Sequence, residues 1–257
     1  MPPTAPSGDL FPSHPSLPAS LLSTLPRTPL VLSALAYTHA HSSPTAFNHI
    51  MRSWLFAATI APKIPSLRGL DGEVLALATV MHDLGWDPTG ACVSADKRFE
   101  VDGAEAAVAF LRDNAPPGWD GGDGGNGVVS GAYKGSKSQR VWDAIALHTI
   151  GSVVFHKEPP VAATAYGIWA DFQGPDRTVP AGILTWDEYN AIVKAYPRLG
   201  LMGELKEVMC GLCKTKPATT YDNTVGEWGE MFVEGYSRDG HRTAEMLLSC
   251  DLDERVV

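Results

Sequence analysis

The chain has 257 residues, 44% of them hydrophobic and 19% charged, which is enough apolar material for a sizeable core and a length that one domain can occupy. A formal charge of −9, from 20 Lys plus Arg against 29 Asp plus Glu, repels a phosphate backbone and argues against nucleic acid as a partner. The opening MPPTAPSGDLFPSHPSLPAS lacks the basic start and apolar run of a secretory signal, and no segment has about 18 uninterrupted apolar residues, so a soluble cytoplasmic protein with no membrane partner is expected.

Residues 1–18 are rich in Pro and Ser, which suits an extended arm, and a single domain is expected over 19–257. Leu21 to Ala40 alternates apolar clusters with turn residues. SSPTAFNHIMRSWLFAATIAPK then has a helix start at Ser43 to Thr45 and a stop before Pro62. Within it Phe47, Ile50, Trp54, Ala57 and Ala58 form an apolar stripe, while His49, Arg52, Ser53 and Phe56 share another face. LDGEVLALATVMHDLGW reads as a buried helix with Asp71 as N-cap and Gly85 as C-cap candidate. VDGAEAAVAFLRDN repeats that design, with Asp102 near the cap position and Glu105 three residues on.

The glycines and serines of 116–138 cannot sustain a helix and predict a flexible surface loop. RVWDAIALHTIG, PPVAATAYGIWADFQG, TWDEYNAIVKAYP and LKEVMCGLC complete a helical series, so the predicted class is all-α, a helical bundle. Four cysteines are too few for a disulfide scaffold, and Cys210 and Cys213 form a CxxC without a second pair to complete a zinc site. They read as reduced thiols in a helix.

The stretch MHDLGW sets His82 and Asp83 side by side at the end of an apolar run. Burying two such groups unpaired costs a few kcal/mol at least (about 2–7 for a neutral polar group), and their side chains diverge by about 100° on a helix, so they can converge on an ion only at its flank. Imidazole and carboxylate suit a divalent first-row metal, which needs further ligands from other elements. His49 and Asp171 are the candidates, giving an H…HD…D order.

NHIMRS, MHDLGW and AYGIWADF, in this order along a helical chain, resemble the HD-domain superfamily of metal-dependent hydrolases. DKRFEVDGAEAAVAFL, RVWDAIALHTIGS and HKEP are similar, more narrowly, to fungal HD-domain proteins related to cyanamide hydratase. The resemblance runs from about residue 20 to about 250 and implies an HD fold around a buried metal site whose ligands fall on His49, His82, Asp83 and Asp171. One divalent transition metal is implied, zinc or iron first. It also implies addition of water to a small nitrile-like C–N substrate, cyanamide to urea as the first candidate, by a hydroxide generated on the ion.

Such a reaction needs proton handling, for which Glu100 and His148 are the candidates. Glu100 lies where a helix N-terminus favours its charged form, leaving His148 as the proton donor. Arg98 and His156 are candidate substrate contacts. The order His82, Asp83, His148, His156, Asp171 is also the one that binuclear HD-domain phosphatases and di-iron oxygenases use, which leaves a second metal open. Phosphohydrolysis and a non-catalytic ligand-binding protein are the rival readings. Phosphate would need basic residues such as Lys97, Arg98, Lys134, Lys137 and Arg140 in reach, and no GK[ST] ending marks a phosphate loop. An isologous dimer is the commonest assembly for a soluble enzyme.

Overall fold

The computed structural model describes residues 9–121 and 136–250, and all regular structure among them is helical, in keeping with the predicted all-α class. Two compact units are distinguished, one of residues 1–93 and 99–199 and one of 94–98 and 200–257. In the first, the helices are α1 (Ala19–Leu22), α2 (Pro29–Ala40), α3 (Pro44–Ile60), α4 (Gly72–Met81), α5 (Phe99–Asn114), α6 (Lys137–Leu147), α7 (Gly151–Val154), α8 (Pro159–Gln173) and α9 (Trp186–Ala195). The second holds α10 (Leu201–Thr215), α11 (Thr224–Phe232) and α12 (Thr243–Leu248).

The caps follow local chemistry. The Ser43 hydroxyl accepts from the Ala46 amide to start α3, Asp71 accepts from the Glu73 and Val74 amides to start α4, and Thr185 and Glu188 form a capping box on α9. Helix α5 begins at Phe99, earlier than the cap pattern suggests, so Asp102 is buried in its first turn and does not cap it. Helix α2, which the sequence reading leaves unassigned, is capped by Thr28 with Pro29 at its first position. Of the predicted arm, residues 9–18 pack on the first unit: Phe11 and Leu17 are buried, and Phe11 meets Trp54 edge-on at 5.8 Å. Residues 1–8, and 122–135 of the predicted loop, lie outside the described residues. Among the described residues no helix is long and apolar enough to cross a membrane.

Helix α4 is buried from Val74 to Met81, and each Leu, Val or Met placed there contributes about 1.5–3 kcal/mol of apolar burial. Two close approaches fix what surrounds it. At Gly167 on α8 a Cβ would lie 2.2 Å from the Ser53 carbonyl oxygen, so only glycine lets α3 and α8 come this close. At Gly85 a Cβ would lie 1.9 Å from the Phe99 carbonyl oxygen, which seats the turn after α4 on the start of α5. Gly85 therefore serves a close approach within a 3₁₀ turn, Leu84–Trp86, and does not form the predicted C-cap; His82 is the C-cap of α4.

Candidate metal centre

Helix α4 ends where the chemistry begins. His82 keeps helical backbone angles, but Asp83 turns out of the helix at φ −102° and ψ 20°. That departure removes the divergence a continuous helix would impose, and the His82 Nε2 and Asp83 Oδ2 atoms come to 3.0 Å. From the middle of α3, His49 brings its Nε2 to 3.2 Å from His82 Nε2 and 3.7 Å from Asp83 Oδ2. One donor atom from each of His49, His82 and Asp83 lies within 4.8 Å of the others, and all three residues are buried.

A third imidazole approaches from α6. His148 is the C-cap of that helix, as His82 is of α4, and its Nε2 lies 3.9 Å from Asp83 Oδ1. The outer nitrogens of all three rings are committed. His82 Nδ1 donates to the Thr79 carbonyl at 2.8 Å, His148 Nδ1 to the Ile145 carbonyl at 2.6 Å, and His49 Nδ1 to Asp171 Oδ2 at 2.7 Å. A carbonyl or carboxylate only accepts, so each Nδ1 carries the proton and each neutral ring keeps its lone pair on Nε2. This is how metal-bound histidines are held.

Two observations test the fit of a cation. Both Asp83 oxygens are buried without a hydrogen-bond partner among the described residues, a cost a native fold carries only for a reason. His49 and His82 also turn lone pairs on each other at 3.2 Å, close to the spacing of about 3.3 Å between two nitrogens on one tetrahedral zinc. A cation between them relieves both.

The electrostatics agree. Burial pushes the pKa of His49 down, against the pull of Asp171 and Asp83, and pushes His148 down with help from His82. For His82 burial acts in the same sense but Asp83 and the Thr79 carbonyl outweigh it, so its pKa is raised. Burial would raise the Asp83 pKa, but the positive charge that His82, and after it His49 and His148, carries when protonated holds it below its usual range; a cation in place of those protons acts in the same sense.

Asp171, the expected fourth ligand, stands behind His49 and does not share the three-donor cluster. Its Oδ1 accepts from Arg52 Nε and Arg198 Nη1, both at 2.8 Å, and its Oδ2 from Arg52 Nη2 at 2.8 Å as well as from His49. Burial would raise its pKa, but His49 and Arg52 outweigh that and keep it ionised well below the usual carboxylate range. With both oxygens engaged, it orients His49 from outside. Arg52, three residues after His49 on a mostly apolar helix, was legible as a face-mate of His49 but not as this clamp, and nothing local marked Arg198.

Of the other expected residues, Glu100 lies close enough to His148 for its charge to pull that pKa upward against burial. Glu100, in the first turn of α5, is fully buried and accepts from the Thr149 hydroxyl at 2.7 Å. His156 is exposed beyond α7. Arg98 belongs to the other unit, where its guanidinium is 3.9 Å from Asp222. Cys210 and Cys213 are free thiols on α10, as expected, and burial raises the Cys213 pKa.

A second trio, His41, Asp87 and Cys92, also falls within 4.8 Å. Its carboxylate is already satisfied: Oδ2 meets His41 Nδ1 and accepts from the Thr89 hydroxyl and the Cys92 amide, and Oδ1 accepts from the Thr89 amide. That trio is a buckle for the turn after MHDLGW. No protein-family model matches the chain, and a search of curated proteins finds no match.

Proposed function

We propose that the first unit is a metal-dependent hydratase of the HD type, which adds water to a small nitrile-like substrate, with cyanamide to urea as the first case. The observation that carries the reading is the buried, unpartnered Asp83 carboxylate facing three Nε2 lone pairs. His49, His82 and Asp83 would hold one divalent transition metal, zinc or iron by donor type, with Asp171 outside them. Such an ion supplies an activated water at neutral pH.

The residues around it manage the proton. His148 has its Nδ1 proton committed to Ile145 and its pKa lowered, so Nε2 acts first as an acceptor rather than as the donor expected from sequence. It takes a proton from water as the oxygen adds to the nitrile carbon. One C–N π bond breaks, its electron pair moves to the terminal nitrogen, and His148 returns the proton there. Glu100, buried nearby and anchored on Thr149, favours the transient imidazolium.

Urea release from cyanamide by the metal-loaded protein tests this directly. Turnover that falls by about 100-fold or more in His148→Ala supports it; a fully loaded protein that makes no urea overturns the substrate assignment.

A binuclear centre is the second reading, favoured by one observation: His148 Nε2 faces Asp83 Oδ1, the oxygen not turned to His49 and His82. Two ions per chain would select it.

A further inference from the structure

Three of the eight buried side-chain polar atoms without a hydrogen-bond partner among the described residues lie in one four-residue stretch: both oxygens of Asp83 and the indole Nε1 of Trp86. A cation accounts for the first two. It does not account for Trp86, whose N–H can only donate. A buried donor left unmade costs about 1–3 kcal/mol, so a partner is to be expected when the site is in use.

The surroundings say where that partner would sit. The Trp86 ring lies nearly parallel to the His49 imidazole, with centroids 6.4 Å apart and planes 20° off. It packs on Phe99 at 5.8 Å, and Phe99 packs on His148 at 5.7 Å. The two aromatic rings therefore run beside the donor set from a ligand histidine at one end to the proton-handling histidine at the other. Gly85, between Asp83 and Trp86, seats the turn on the Phe99 backbone, which fixes the pair as one wall. A molecule held against this wall would meet apolar faces and one N–H.

We infer that Trp86 is a substrate-binding residue: its indole N–H donates to the acceptor atom of a small, uncharged, linear or planar molecule held against the Trp86 and Phe99 rings. For a nitrile the acceptor is the terminal nitrogen, where electron density grows as water adds, so the same hydrogen bond strengthens along the reaction. The inference rests on the metal reading above and deepens it.

The test uses full-length protein loaded with cobalt(II) and titrated with cyanamide, followed by the visible spectrum, in wild type and in Trp86→Phe. The variant keeps an aromatic wall and deletes the donor. It should take up as much cobalt as wild type and bind cyanamide about 5- to 50-fold more weakly. Unchanged probe affinity overturns the role of Trp86 and leaves the metal reading standing. Wild type that takes up no cobalt brings down the metal reading, and this inference with it. Should Trp86→Phe fail to fold, the zinc-loaded wild type decides: the Trp86 indole proton resonance moves downfield on adding cyanamide, or the inference fails.

Discussion

His49 Nδ1 lies 2.7 Å from Asp171 Oδ2, and the same carboxylate is forked by the fully buried Arg52 and met by Arg198. The carboxylate fixes the tautomer of His49, and the arginines fix the carboxylate. Lysine cannot reproduce the two-pronged grip, so Arg52→Lys should lower metal affinity by about 10- to 100-fold with the number of bound ions unchanged at saturation. Competition with a chromophoric chelator measures it; unaltered affinity would show that Asp171 does not act through Arg52.

Truncation at the same place is costlier. Arg52→Ala leaves Asp171 buried without its principal partner and releases the Tyr196 and Pro197 carbonyls, which Arg52 Nη1 binds at 2.9 and 3.1 Å. A loss of about 3–5 kcal/mol is expected in urea unfolding, larger than for Arg198→Ala, whose side chain is partly exposed.

The crossing of α3 and α8 depends on Gly167, so Gly167→Ala drives a methyl into the Ser53 carbonyl and the Ala57 side chain. Overpacking of this kind costs about 1–3 kcal/mol, and here it also separates His49 from Asp171. Thermal melting and metal affinity should fall together. A melt without loss of affinity would uncouple the crossing from the site.

Acid sensitivity should trace in part to Asp87. Burial would raise its pKa, but hydrogen bonds from Thr89, His41 and the Cys92 amide hold it below the ordinary value of 3.8. A carboxylate depressed in the folded state contributes stability above its unfolded pKa, and that contribution fades as pH falls through the folded value. Asp87→Ala should therefore be less stable than wild type at pH 6 to 7, with the gap closing below about pH 4. A constant gap across that range would contradict the assignment.

How much of this was open to sequence reasoning depends on how local the cause was. The caps at Ser43 and Asp71 and the helical class follow from contacts within a few residues, and all were legible. The HD pair was legible because two ionisable groups in an apolar run demand partners. Asp171 was expected as a fourth metal ligand; it stands behind His49 instead, in company set by Arg52 and Arg198 across 119 and 27 positions of sequence, which spacing does not reveal. Gly85 misled for a related reason: a glycine after an apolar run resembles a C-cap, while its actual constraint is the Phe99 backbone. His156 followed the H…H…D order along the chain, yet the turn after α7 leaves it exposed.

Metal content of the freshly purified protein, measured by mass spectrometry beside Asp83→Asn, tests the central claim most directly. About one ion of zinc or iron per chain is predicted for wild type, abolished when the unpartnered carboxylate becomes an amide. Wild type that stays free of metal after supplementation, or Asp83→Asn that binds as fully and as tightly as wild type, would contradict the account.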